Sequence, residues 1–395
     1  MTTRLKKIPF YVLIICLTTS LVSMSMKMID TKEVLDYCIG KVKGSLEQLT
    51  AYDRFPRNIP EGEKHWETVD VRDWTSGFWP GVLWYSYEYT GDDELRRQAE
   101  KYTAPLEVIS KSAARDHDIG FMMYCSYGNG YRLTGNPKYK QVLLASADTL
   151  ATLFNPAVGT IHSWPSKPQY PHNTIIDNMM NLELLFWAAK NGGDQRLYDI
   201  AKSHAEVTMD NLIREDYSIY HLGSFDDKTG EFIEGKTHQG YADESMWARG
   251  QTWGIYGFTI CYRETQEEKF LETAQKLADR FIERLPQDVV PYWDFDDPGI
   301  PNVPKDASAA AIAASALLEL SQLVRDKAVR EKYQEVAVNL LDKLASSRYR
   351  AGDKNDAILL HSTGHMPRKS EVDVPIVYAD YYFMEALLKL RSMDL

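Results

Sequence analysis

Cysteine is scarce in this 395-residue chain: Cys16, Cys38, Cys125 and Cys261 are widely spaced, with no CxxC pair. That spacing argues against a disulfide framework and against a cysteine zinc site, so buried free thiols are expected. No HExxH or similar ligand spacing occurs among the acids and histidines, and no metal or other cofactor is expected. Positive charge is also in deficit. Lys and Arg number 45 against 56 Asp and Glu, a formal net charge of −11. Such a balance excludes nucleic acid and anionic membrane surfaces as partners. A small anionic substrate is not excluded, because local cations rather than the global field would hold it.

Long apolar runs are missing too, save one near the N-terminus. Arg4, Lys6 and Lys7 precede the apolar stretch from Ile8 to Val22, and Ser23 and Ser25 supply small residues for cleavage before Met26. This order predicts a secretory signal over residues 1–25, followed by a single domain over 26–395. The run is too short for a permanent membrane span, and no stop-transfer pattern follows. Cys16 follows Ile15 inside the run, a poor fit to a lipoprotein cleavage site. The expected location is the periplasm or the exterior, and the expected state is a monomer or weak homodimer.

Aromatic side chains are plentiful: 9 Trp, 24 Tyr and 13 Phe. They suit core packing and stacking on sugar rings alike. From residue 31 onward the chain reads as helix, in two alternating kinds. Segments 76–89, 119–133, 175–190, 244–263, 307–322 and 377–390 are apolar on nearly all sides, which predicts buried helices. Segments 31–50, 94–111, 138–153, 195–213, 267–285 and 328–346 are amphipathic; in 267–285, Phe270, Ala274, Leu277, Ala278 and Phe281 recur at helical spacing. Residues 87–102, 131–146 and 188–203 each run from a buried helix through a Gly-containing turn into an amphipathic one; 261–276 does so without Gly. Recurring hairpins of six buried and six half-exposed helices predict an all-α fold, an (α/α)6 barrel, in preference to an open solenoid.

Longer connections at 52–73, 155–173, 214–243, 286–305 and 347–376 lead into buried helices, and segment 216–232 is expected to form short β-hairpins. The starts of the inner helices then share one rim. They read DWTSGFWPG (73–81), DHDIGF (116–121), IIDNMMN (175–181), DESMWARGQTWG (243–254), PKDASAAA (304–311) and YADYYF (378–383). Trp74, Trp79, His117, Asp118, Asp177, Trp247, Arg249, Trp253 and Tyr382 are expected to line or approach one funnel. Six helix N-termini aimed at it would favour an anionic ligand. Asp73, Asp116 and Asp306 are placed like N-caps. Asp177 has Asn173 and Thr174 as acceptable caps before it, which frees it for chemistry. Arg249, beside a helix start, reads as a cation awaiting an anion.

These motifs, in order over nearly the whole chain, together with THQGYADESMWARGQTWG (237–254), PKDASAAAIAASALLEL (304–320) and YADYYFMEALLKL (378–390), resemble the unsaturated glucuronyl hydrolases of glycoside hydrolase family 88. The resemblance implies an (α/α)6 barrel acting on lyase-generated oligosaccharides that carry a C4=C5 unsaturated uronic acid at the non-reducing end. It implies Asp177 as general acid/base, Asp118 as its assistant, and Trp74, His117, His221, Gln239, Arg249 and Trp253 as substrate-binding residues. Some streptococcal members carry an S-x-x-S-x-K segment associated with sulfated substrates; the matching loop here, HSTGHMPRKSEVDVP (361–375), lacks that order.

Vinyl ether hydration fits these residue types. A protonated Asp177 would deliver a proton to C4, and its carboxylate would then activate the water that attacks C5. Such a group needs a pKa raised towards working pH, which the apolar helix and a neighbouring Asp118 are expected to provide. An unsaturated rhamnogalacturonyl hydrolase and a non-catalytic sugar-binding protein are the rival readings.

Overall fold

The computed structural model describes residues 29–393; the signal segment expected at 1–25 lies outside them. Among the described residues the helices alternate as the periodicity predicts. Outer helices occupy Thr31–Gln48, Asp93–Thr103 (continuing in short turns to Ser110), Pro137–Ala151, Gln195–Leu212, Glu268–Arg284 and Lys327–Leu344. Inner helices occupy Phe78–Thr90, Ile119–Thr134, Ile176–Lys190, Ala248–Thr265, Ala307–Leu323 and Val377–Ser392. Each inner helix packs on the next and the sixth returns to the first, closing the (α/α)6 barrel. No described helix is long and apolar enough to cross a membrane.

Two inner helices are less regular than their patterns suggest. The second is interrupted by a π-helical turn, Tyr124–Gly128, and the third opens as a 3-10 turn, Ile176–Met180. The inner-to-outer joints are tight: Gly91 and Gly135 take left-handed φ values of 68° and 65° just past their helices. At the Gly-free joint Gln266 adopts the same conformation, φ 60°, at a steric cost that glycine would avoid.

Small residues set the diameter of the inner ring. The fifth inner helix presents buried Ala307, Ala309, Ala310, Ala311, Ala313, Ala314 and Ala316, so its neighbours approach closely. A Cβ on Gly257 would lie 2.3 Å from Cβ of Met179, and one on Gly120 would lie 2.5 Å from Cα of Asn181. Across the barrel axis four buried rings meet: Phe78, Phe121, Trp253 and Tyr382, from the first, second, fourth and sixth inner helices. Their centroids are 5.7 Å (Phe78–Phe121), 5.2 Å (Phe121–Trp253) and 5.4 Å (Trp253–Tyr382) apart. This layer divides the barrel into two ends.

At the rim where inner helices begin, short strands replace helix. His172–Ile175, Leu222–Phe225 and Phe232–Lys236 form an antiparallel sheet, so the expected hairpin near 216–232 is present, displaced toward its C-terminal side. Asn173 and Thr174, read above as possible caps, lie in the first of these strands, because their backbone groups pair with the second strand. Of the three acids placed like caps, Asp306 caps the fifth inner helix through the N–H groups of Ser308 and Ala309. Asp73 and Asp116 instead accept backbone N–H bonds two residues on, from Thr75 and Asp118, within turns.

Gly257→Ala, on this reading, forces the third and fourth inner helices apart and costs about 1–3 kcal/mol of stability. Urea unfolding checks this; an unchanged midpoint would show that the contact is slack.

Candidate active site

Sheet register creates the first half of the site. Ile175 pairs with Leu222, and Ile176 N–H then donates to the carbonyl of His221, 3.0 Å away. The next residue, Asp177, therefore starts its 3-10 turn beside the His221 ring, Oδ2 lying 3.5 Å from Nε2. Nδ1 of His221 accepts the backbone N–H groups of His238 (3.0 Å) and Gln239 (3.1 Å), which leaves the ring proton on Nε2, facing the carboxylate. Among the described residues, neither Asp177 Oδ2 nor His221 Nε2 has another partner.

The second half repeats this construction with different parts. Phe121 N–H donates to Oδ1 of Asn181 (2.8 Å), which orients the amide so that Nδ2 donates to Nδ1 of His117 (3.0 Å). His117 Nε2 then faces Asp118 Oδ1 at 3.5 Å. Asp118 sits at the N-cap position of its helix without making a side-chain cap bond. Asp177, Asp118 and His117 open on one cavity of about 260 Å³, whereas His221, buried behind Asp177, does not line it.

The two carboxyls are tuned in opposite directions. Burial pushes Asp118 well above the usual carboxylate range, and the nearby carboxylates of Asp116, Asp177 and Asp73 add to the shift. Burial acts on Asp177 in the same sense, but the His221 N–H, with His117 and Arg249 behind it, outweighs burial and holds Asp177 below the usual range. His117 is pushed down to about 4, chiefly by burial. This reverses the expectation for Asp177: of the two carboxyls, Asp118 is the one pushed towards keeping its proton.

The remaining sequence-derived residues divide into two groups. Trp74 stands on the cavity wall, its ring packed on Tyr378 (5.1 Å) and Phe121 (5.7 Å). Gln239 and Arg249 also line the cavity, yet both are already engaged. Gln239 Nε2 donates to the Gly364 carbonyl (3.0 Å). The Arg249 guanidinium is buried between the rings of Trp247 and Tyr378. It donates to Asp306 Oδ2 (2.7 Å) and to the carbonyls of Thr363 and Gly364 (both 2.6 Å). Arg249 therefore does not wait for an anion with its charge free, because Asp306 neutralises it.

Trp253 does not reach the cavity. It points along the axis into the four-ring layer, and so offers no stacking surface to a ligand. Tyr382 belongs to the same layer, and Trp79 turns outward onto Tyr102. The sequence reading missed Arg57, Trp164, Lys167, His238, His365 and Tyr378, which all line the cavity, as does Arg368 of the 361–375 loop. His238 was legible as Gln239's neighbour; Trp164 and Lys167 lie in the long 155–173 connection, whose length alone marked it.

A larger cavity of about 500 Å³ lies at the opposite end of the barrel, but its charges satisfy one another. Arg263 bonds to Glu183, Glu264 and Glu319; Lys389 bonds to Glu319; Glu385 accepts from Tyr85 and Tyr256. The smaller cavity holds the unpartnered groups and is the better candidate for chemistry.

Residues 48–389 match the model of Glycosyl Hydrolase Family 88. A protein of Formosa agariphila named unsaturated glucuronyl hydrolase is 43% identical over 371 residues, covering 90% of this chain and 92% of that protein. An unsaturated chondroitin disaccharide hydrolase of Streptococcus pneumoniae is 34% identical, covering 91% and 92%. The crystal structure of an unsaturated glucuronyl hydrolase specific for heparin superposes with a TM-score of 0.88 at 41% identity, covering 92% of this chain and 98% of that one.

Because Asp118 is raised in the fold, its ionisation opposes folding once pH passes its unfolded pKa, near 4. Asp118→Asn removes that penalty. The variant should melt above the wild type at pH 7–8, with the difference shrinking towards pH 4. A melting difference independent of pH would refute this assignment of the proton.

Proposed function

The chain belongs to glycosyl hydrolase family 88, and on that premise we propose that it removes a C4=C5 unsaturated uronic acid from the non-reducing end of lyase-generated glycosaminoglycan oligosaccharides. The observation that carries the reading is the pair of oppositely tuned aspartates sharing one cavity, each fixed by a histidine of set tautomer.

The chemistry follows from the vinyl ether. Protonation at C4 places positive charge on C5 and the ring oxygen, and Asp177 is the donor. Its carboxylate, steadied by the His221 N–H, then takes a proton from the water that adds to C5. The product is a hemiketal, which opens and expels the remaining saccharide. In the empty cavity Asp177 is ionised, so the acid form must be assembled on binding. Substrate does this twice over: it displaces water around Asp177, and it brings a second carboxylate into the cavity. Both raise the affinity of Asp177 for a proton. Asp118, whose surroundings favour its protonated form, stands nearby as a reserve. Carboxyl separation has no bearing on stereochemical outcome here, unlike ordinary glycosidases, because the bond attacked is C4=C5. Trp74 supplies a stacking face, and His117 and Gln239 stand on the cavity wall beside the sugar.

Residues 1–25 support export, to the periplasm or beyond. The protein recovered outside the cytoplasm should begin at or near Met26, and an intact Met1 on that material would count against export.

Turnover is followed by loss of the double-bond absorbance, roughly 235 nm, across unsaturated chondroitin, hyaluronan, heparin and pectin disaccharides. Activity confined to the pectin product would favour the rhamnogalacturonyl alternative. Asp177→Asn should lower kcat by about a thousandfold while binding persists; binding without turnover in the wild type would leave only a sugar-binding protein. For the wild type, kcat/KM, which reports the free protein, should fall as pH rises from mildly acid values. The matching decline in kcat should begin at higher pH, because the bound state raises Asp177. Coincident limbs would contradict assembly of the acid on binding.

A further inference from the structure

The cations around the catalytic cavity are not equivalent. Arg57 is neutralised by Asp73 (2.5 Å) and Glu371 (2.7 Å), and Arg249 by Asp306 (2.7 Å). Lys167 has no such partner: among the described residues no carboxylate lies within ion-pair distance of its Nζ. Its polar contact is Nε2 of His238, at 3.3 Å, and its ammonium rests 3.2 Å from the centroid of the Trp164 ring.

This position is built rather than incidental. Residues 164–167 form a tight turn with Pro165 at its second position, closed by Lys167 N–H donating to the Trp164 carbonyl at 3.0 Å. Proline there pre-sets the turn, which folds the lysine back over the indole. Asn173 anchors the turn from the adjoining strand: its Oδ1 accepts Trp164 N–H (2.9 Å) and its Nδ2 donates to the Trp164 carbonyl (3.1 Å). On the same wall His365 packs 4.9 Å from His238, with both ring nitrogens of His365 buried and unpartnered among the described residues. A half-buried cation without a counter-ion is costly unless something else compensates it.

We propose that Lys167, cradled on Trp164, forms an anion subsite at the rim of the catalytic cavity that takes a carboxylate or sulfate of the bound saccharide. The inference rests on the saccharide reading above and deepens it, because the charge of Arg249 is already spent on Asp306. Burial, with the Arg368 cation, pushes Lys167 down to about 8, so it is charged at neutral pH and loses its charge above that value. The groups facing it do not replace that charge: burial pushes His238 down to about 3 and His365 to about 4. Arg368 is the one other cation on this wall without an ion pair among the described residues.

The test is calorimetric and does not depend on turnover. In an Asp177→Asn background, binding is measured for an unsulfated unsaturated disaccharide, its uronate methyl ester, and a disaccharide with one sulfate on the second sugar. Lys167→Met should weaken binding about tenfold or more, and Lys167→Arg by no more than about threefold. An equal loss for both free acids, with the methyl ester indifferent, assigns the subsite to the carboxylate. A loss confined to the sulfated sugar assigns it to sulfate. Affinity in the Lys167 background should decline above about pH 8, and Lys167→Arg should abolish that decline. Absence of saccharide binding, affinities within about twofold for Lys167→Met, or an equal loss for the methyl ester would each overturn the proposal. Failure of the wild type to consume any of the sugars would bear on the proposed activity instead.

Discussion

The buried pair between Arg249 and Asp306 is the constraint on which the catalytic end of the barrel depends. Arg249 begins the fourth inner helix and Asp306 caps the fifth, while the same guanidinium binds the carbonyls of Thr363 and Gly364 in the connection to the sixth. Gln239 reaches the Gly364 carbonyl from yet another connection. One charge pair thus fastens two helix starts and two rim segments. Losing either partner would strand a desolvated charge, typically worth about 3–5 kcal/mol. The wall it secures is itself under tension: His361, Lys369, Glu371 and Asp373 all have left-handed backbones, with φ between 54° and 65°. The bidentate grip of Arg57 on Glu371 restrains that segment from its other side. Arg249 is thereby a builder of the cavity before it is anything else.

Two aspartates with nearly identical first neighbours are shifted in opposite directions, and the difference lies one layer out. Each faces the Nε2 of a buried histidine at 3.5 Å. Behind Asp118 stand more acids, Asp116 and Asp73; behind Asp177 stand His117 and Arg249. These flanking charges are what drive the two carboxyls apart. Catalytic pairs gain their distinct roles when environments drive their pKa values apart.

Much of this architecture was legible in the sequence, because a 3.6-residue period marks the outer helices and the two helix classes differ in how far around the cylinder apolar residues extend. The rim location of Asp118, Asp177, His117 and Trp74 followed from where each inner helix begins. What escaped was long-range. That His221 meets Asp177 depends on strand register between residues 175 and 222, which no local pattern encodes. That Arg249 is neutralised depends on Asp306, 57 residues on; its placement near a helix start read locally as an open anion site. Trp253 was misplaced because a helix with apolar residues all round gives no clue to which face meets the axis and which the mouth. Lys167 and Trp164 sit in an irregular connection, where composition says nothing about direction.

The four-ring layer of Phe78, Phe121, Trp253 and Tyr382 carries a consequence for how a polymer can be processed. Trp74 of the one cavity packs on Phe121 and Tyr256 of the other packs on Tyr382, so the rings stand between the cavity of Asp118 and Asp177 and the paired charges around Arg263 and Lys389. A sugar lying against Trp74 therefore meets aromatic rings on the axial side, an arrangement that suits the end of a saccharide better than its interior.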